Sequence, residues 1–121
     1  MNWNLTSDRP IYAQLIEQIT QSIVSGEFRA GEKLPSVRDL AQEAAVNPNT
    51  MQKALAELER NGLVYTQRTA GRFITEDNAM LEKVKTQLAT EQIQMFFEKM
   101  NQLGFSKEQT ITLIKNTAEG N

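Results

Sequence analysis

At 121 residues, with 40% hydrophobic and 23% charged side chains, the chain suits one ordinary domain, or a small domain with an appendage, rather than a disordered tail. It contains neither cysteine nor histidine, which removes disulfides and thiolate or imidazole metal sites and argues against an enzyme; no metal and no cofactor is expected. No apolar run approaches the ~20 residues that span a bilayer, and the N-terminus lacks the basic start and apolar stretch of a signal peptide, so no membrane partner and a cytoplasmic location are expected.

The formal charge of −2 is unevenly spread. Residues 1–75 hold eight Lys and Arg against eight Asp and Glu, and residues 76–121 hold five against seven. The acidic excess therefore belongs to the last third. Any polyanion-binding surface must rest on a local field in the neutral part.

The first predicted element runs from about Arg9 to Ser25, with Ile11, Leu15, Ile16, Ile19, Ile23 and Val24 at helical spacing. Asp8 is expected as its N-cap, with Pro10 close to the first turn, and Gly26 ends it. It reads as a core helix that braces its neighbours. Gly26 and Gly31 then suggest a turn, with Leu34 anchoring the loop.

Two short helices follow, each with its own start signal. Ser36 with Asp39 three residues later is a capping-box pattern, so a second helix opens at Ser36 with Val37, Leu40 and Ala41 inward and Arg38 outward. Asn47 followed by Pro48 opens a third helix, with Met51, Ala54, Leu55 and Leu58 on its buried face until Asn61-Gly62 stops it. The link around Ala44-Ala45-Val46 is short enough to force a steep crossing. After Gly62 the pattern becomes extended: Leu63–Gln67 and Arg72–Thr75 read as strands flanking Thr69-Ala70-Gly71. Two helices in a tight turn and a hairpin after them make a winged helix-turn-helix.

The last third is different. A long helix from about Asn78 to Leu103 and a short one opened by Ser106 and Gln109 form a helical pair, the hinge lying near Glu76-Asp77-Asn78. Some forty residues cannot bury two large aromatics and several aliphatics alone. The apolar residues Leu81, Val84, Leu88, Phe96, Phe97 and Met100 are therefore read as dimerisation residues. The expected architecture is mainly α with a small β-hairpin: a winged helix-turn-helix over residues 1–75 and a two-helix dimerisation tail over 76–121.

Helix N-termini carry unpaired N–H groups and a partial positive charge, so Ser36 and Arg38 are candidate phosphate anchors. In the third helix Asn47, Asn49, Thr50 and Gln52 can reach base edges, since amides pair bidentately with adenine and a threonine methyl can meet thymine. Asn49 and Gln52, three apart, share one face. Lys53 is a phosphate candidate, Arg68 and Arg72 flank the hairpin tip, and Gly71 permits the positive φ of a tight turn. Lys33 also falls beside these elements. A small-molecule effector would need a pocket, at the dimer interface or in the crevice between the tail and the winged helix, and Phe96, Phe97 and Met100 could line it. The rival reading is a winged helix that docks protein. Only phosphate contact requires salt-dependent binding.

The spaced motifs Gly-x4-Gly-x2-Leu-Pro-Ser-x-Arg-x-Leu-Ala (Gly26 to Ala41), Val-Asn-x-Asn-Thr (Val46 to Thr50) and Gly-Leu-Val (Gly62 to Val64), preceded by Arg9-Pro10-Ile11-Tyr12, resemble the GntR family of bacterial transcriptional regulators. The short tail is similar to the small YtrA-like subfamily. The resemblance implies a homodimeric repressor on a pseudo-palindromic double-stranded DNA operator. It carries DNA contacts onto Ser36, Arg38, Asn47, Asn49, Thr50, Gln52 and the neighbourhood of Gly71. One departure stands out: where the wing often shows Gly-x-Gly-x-Phe, this chain has Thr69-Ala70-Gly71-Arg72-Phe73.

Overall fold

The computed structural model describes residues 1–120. Its elements are α1 (Ile11–Val24), α2 (Val37–Ala44), α3 (Pro48–Arg60), β1 (Val64–Gln67), β2 (Gly71–Ile74), α4 (Asn78–Gln102) and α5 (Lys107–Glu119). The chain divides into two compact units, Met1–Lys85 and the residues from Thr86 onward, with α4 running through the division.

In the first unit α1 packs on α3, α3 on α2 and on β1. The apolar stripes meet there: Leu15, Ile19 and Ile23 of α1, Leu40 and Ala41 of α2, and Met51, Ala54, Leu55 and Leu58 of α3 are buried together with Val64 and Ile74 of the hairpin. β1 and β2 are antiparallel, pairing Val64 with Ile74, Tyr65 with Phe73, Thr66 with Arg72 and Gln67 with Gly71. A third stretch joins them. Gly31 N–H donates to the Ile74 carbonyl, Ile74 N–H to Glu32 and Leu34 N–H to Arg72, so β2 lies between β1 and residues 31–34. The two glycines, Gly26 and Gly31, make that stretch read as a turn in the sequence, and its pairing with β2 is non-local.

The start of α1 differs from expectation. Pro10 is the N-cap and has no polar side chain to cap with, while Asp8 accepts from the Thr6 hydroxyl, which holds its carboxyl below the ordinary value. Buried Gln14 does the tethering. Its Oε1 accepts from Thr6 N–H at 2.8 Å, while its Nε2 donates to the carbonyls of Thr6 and Arg9 at 2.8 Å each. One turn on, Gln18 exchanges the same pair of bonds with Asn4. These amides strap residues 1–9 along α1 and lay Trp3 and Leu5 against the core. The Arg9 guanidinium also forks onto Glu17 at 2.9 and 3.0 Å, which lowers the Glu17 carboxyl and raises Arg9.

Asp77 caps α4 by accepting from Met80 N–H. The first turns of α4 place Met80, Leu81 and Val84 against the same core, so the first unit reaches Lys85 and extends past the division expected after Thr75. Leu81 and Val84, two of the residues read for dimerisation, are half-buried within the first unit.

The second unit has no comparable interior. Thr110, its hydroxyl donating to the Ser106 carbonyl, is the buried residue there among those described. α5 opens on the full capping box expected from Ser106 and Gln109, with bonds of 3.1 and 2.8 Å, and the turn before it closes on Gly104 at φ 98°. Phe96, Leu113 and Ile114 are 41–43% exposed. Together with Met100, Thr110 and Thr117 they line an open apolar groove.

Candidate nucleic-acid interface

The helix-turn-helix is built by local chemistry. Ser36 stands in an extended conformation and its hydroxyl oxygen accepts from Asp39 N–H at 3.1 Å, which starts α2. α2 ends at Ala45, the one described non-glycine residue with positive φ (58°). That left-handed residue lets Val46 N–H donate back to Ala41 at 2.9 Å and reverses the chain within two residues. Asn47 then caps α3, its side-chain oxygen accepting from Asn49 N–H at 2.7 Å, with Pro48 where a missing donor costs nothing.

These caps fix what each terminus presents. Ser36, Arg38, Asn47, Asn49, Gln52 and Lys53 are exposed, and Thr50 is half-buried. Capping occupies the Asn47 oxygen and leaves its amide N–H groups as donors. Asn49 and Gln52 lie on one face of α3, and Lys53 follows Asn49 by one turn.

The hairpin supplies a third group. Ala70 N–H donates to the Gln67 carbonyl, so Arg68-Thr69-Ala70 form the tip and Gly71, at φ 114°, opens β2 rather than sitting in the turn. Arg68 is exposed. Arg72 pairs with Thr66, whose hydroxyl bonds Glu59 of α3, so both belong to the helix-facing side of the hairpin. Arg72 is half-buried and its Nε has no partner. Tyr65 and Phe73 stack on the opposite side with ring centroids 5.7 Å apart.

Salt bridges within the described residues involve Arg9, Arg60 and the terminal amine. Among the described residues Lys33, Arg38, Lys53, Arg68 and Arg72 have no carboxylate within 4.0 Å, which leaves their charge for another partner. Sequence reasoning grouped these cations near the site but missed where Lys33 points, since the pairing of residues 31–34 with β2 is non-local. No cluster of three or more metal-ligating side chains occurs among the described residues, and none of their helices is long and apolar enough to cross a membrane.

The signature of the bacterial regulatory proteins of the gntR family matches residues 11–74, from the start of α1 to the end of β2. The chain belongs to the GntR family. It is 40% identical to the uncharacterised transcriptional regulator YhcF of Bacillus subtilis over 99% of both chains. Identity to the transcriptional repressor YtrA of Bacillus subtilis is 41%, covering 80% of this chain and 70% of that one. A GntR family transcriptional regulator from Listeria monocytogenes superposes with a TM-score of 0.85 at 39% identity, over 93% of this chain and 98% of the other. The DNA-binding domain of AraR, solved in complex with its operator ORE1, matches 62% of this chain and 94% of that one, with a TM-score of 0.53 at 31% identity. The protein is thus a DNA-binding transcriptional regulator with a winged helix-turn-helix.

Proposed function

We infer that the protein represses transcription by binding a pseudo-palindromic operator as a homodimer in the cytoplasm. The observation that carries this is an exposed amide face at the start of α3, with Arg38 of α2, Lys53 of α3 and Arg68 and Arg72 of the hairpin forming no salt bridge among the described residues. In this reading Asn49 and Gln52 meet base edges, with Asn47 and Thr50 beside them. Ser36, Arg38, Lys53, Arg68 and Arg72 hold phosphates, and the backbone at Gly71 lies near the duplex. Residues 1–75 read the DNA and residues 76–121 join two copies through Leu88, Phe96, Phe97 and Met100. Two recognition helices then enter successive major grooves about 34 Å apart. No catalytic role is proposed. The repressor name of YtrA and the operator complex of AraR support the assignment.

The test is selection of bound duplexes from a random library at two salt concentrations. Enrichment of an inverted repeat, with affinity falling as salt rises, is the expected result. Enrichment of nothing, with binding indifferent to salt, would overturn the proposal and favour a protein-docking role.

A further inference from the structure

Lys33 lies outside both helices of the helix-turn-helix, yet the fold carries it onto the wing. It forms an antiparallel bridge with Phe73, so its side chain shares a face with Phe73 and, two residues along the same strand, with Gly71. A Cβ at Gly71 would stand 3.0 Å from Lys33 Cε and 3.8 Å from Nζ. The end of the lysine stem therefore passes over Gly71 and its ammonium lies beside the Gln67–Gly71 pair, next to the tip.

We propose that Lys33 is a phosphate-binding residue of the wing, delivered there by residues 31–34 and admitted by the missing side chain at Gly71. The hairpin splits its cations by face. Arg72 sits on the side turned to α3, whereas Lys33 occupies the side of Tyr65 and Phe73. Lys33 is exposed, and among the described residues no carboxylate stands within 4.0 Å of its ammonium. The neighbouring acid, Glu32, accepts from Arg29 N–H and is held in its own turn. A compact ammonium with three donors, on a stem whose end passes over Gly71, suits a phosphate oxygen better than a base edge. Gly71 accordingly also makes room for the lysine, since a side chain there would crowd its Cε.

The assignment rests on the DNA-binding reading, and the experiment separates the two. Binding of a fluorescein-labelled random-sequence duplex is measured across a salt series for the wild type, Lys33→Met and Lys33→Arg, with thermal unfolding of each. Methionine keeps the stem and removes the charge. The expected result is a drop of about 0.9 in the slope of log affinity against log salt for Lys33→Met. Unfolding should be unchanged, and Lys33→Arg should restore the slope. A wild-type slope in Lys33→Met overturns the phosphate role, whether or not its unfolding midpoint falls. A wild type that binds no duplex in a salt-dependent way overturns the DNA-binding reading, and this one with it.

Discussion

The two units answer the problem of apolar burial in opposite ways. The first closes its own core, with Leu15, Met51, Leu58 and Ile74 fully buried, and spends its surface on polar helix termini. The second leaves Phe96, Leu113 and Ile114 more than two-fifths exposed and buries Thr110 in their place. Both units carry large apolar residues along their helices. What differs is the partner: α1, α2, α3 and the hairpin cover one another, while α4 beyond Thr86 and α5 have an open groove between them. That open groove is why the proposed function gives the second unit the joining role.

The largest effect should come from breaking the closed core. Leu58→Ala is expected to cost about 2–5 kcal/mol in urea unfolding, because the fully enclosed site cannot collapse around the cavity. A loss below about 1 kcal/mol would show that the first unit is looser than described. Gln14→Ala should follow at about 1–3 kcal/mol, since it frees two carbonyls and one N–H of the N-terminal strap in a partly buried place. Proteolysis within residues 1–9 should then precede global unfolding.

The open groove predicts a different readout. Phe96→Ser combined with Leu113→Ser should weaken self-association by roughly tenfold or more in sedimentation equilibrium, each apolar side chain being worth about 1.5–3 kcal/mol when covered. Monomer stability of the first unit should stay as it was. Unchanged association would place the dimer contact elsewhere.

Smaller effects sharpen the picture of the first unit. Ala45→Gly removes the strain of a left-handed alanine, about 1–2 kcal/mol, but adds chain entropy to the unfolded state, so a net gain of about 0.5 kcal/mol is expected. The weakest is a pH dependence. Glu17 is lowered by Arg9, so its contribution is complete above the ordinary Glu value and fades as pH falls through its depressed folded value. Both partners are about half exposed, which keeps the effect below about 1 kcal/mol. Arg9→Ala should flatten that part of the stability–pH curve.

The sequence carried far where the signal is local. Ser36, Asn47-Pro48 and Ser106-Gln109 announce helix starts within three residues, and the structure begins α2, α3 and α5 there. Signals that depend on distant partners were silent. Nothing in Thr6, Arg9 and Gln14 foretells that one amide ties them together. Asp8 looked like a cap but answers Thr6 instead. Ala45 takes a conformation usually flagged by glycine, because the bond from Val46 to Ala41 holds it there. The candidate DNA-contacting residues are readable as types at helix starts, and the structure leaves Asn49 and Gln52 exposed there. The route of Lys33 was not, since it follows from strand pairing.

The most direct test of the contrast between the units is the stoichiometry of the protein on its enriched inverted repeat, measured by sedimentation velocity with the Phe96→Ser/Leu113→Ser variant alongside. Two wild-type chains should occupy each repeat, while the variant binds an isolated half-site as one chain with the same base preferences. A single wild-type chain covering the whole repeat, or a variant that loses those base preferences, would contradict the division of labour between a self-sufficient reading unit and an unfinished joining one.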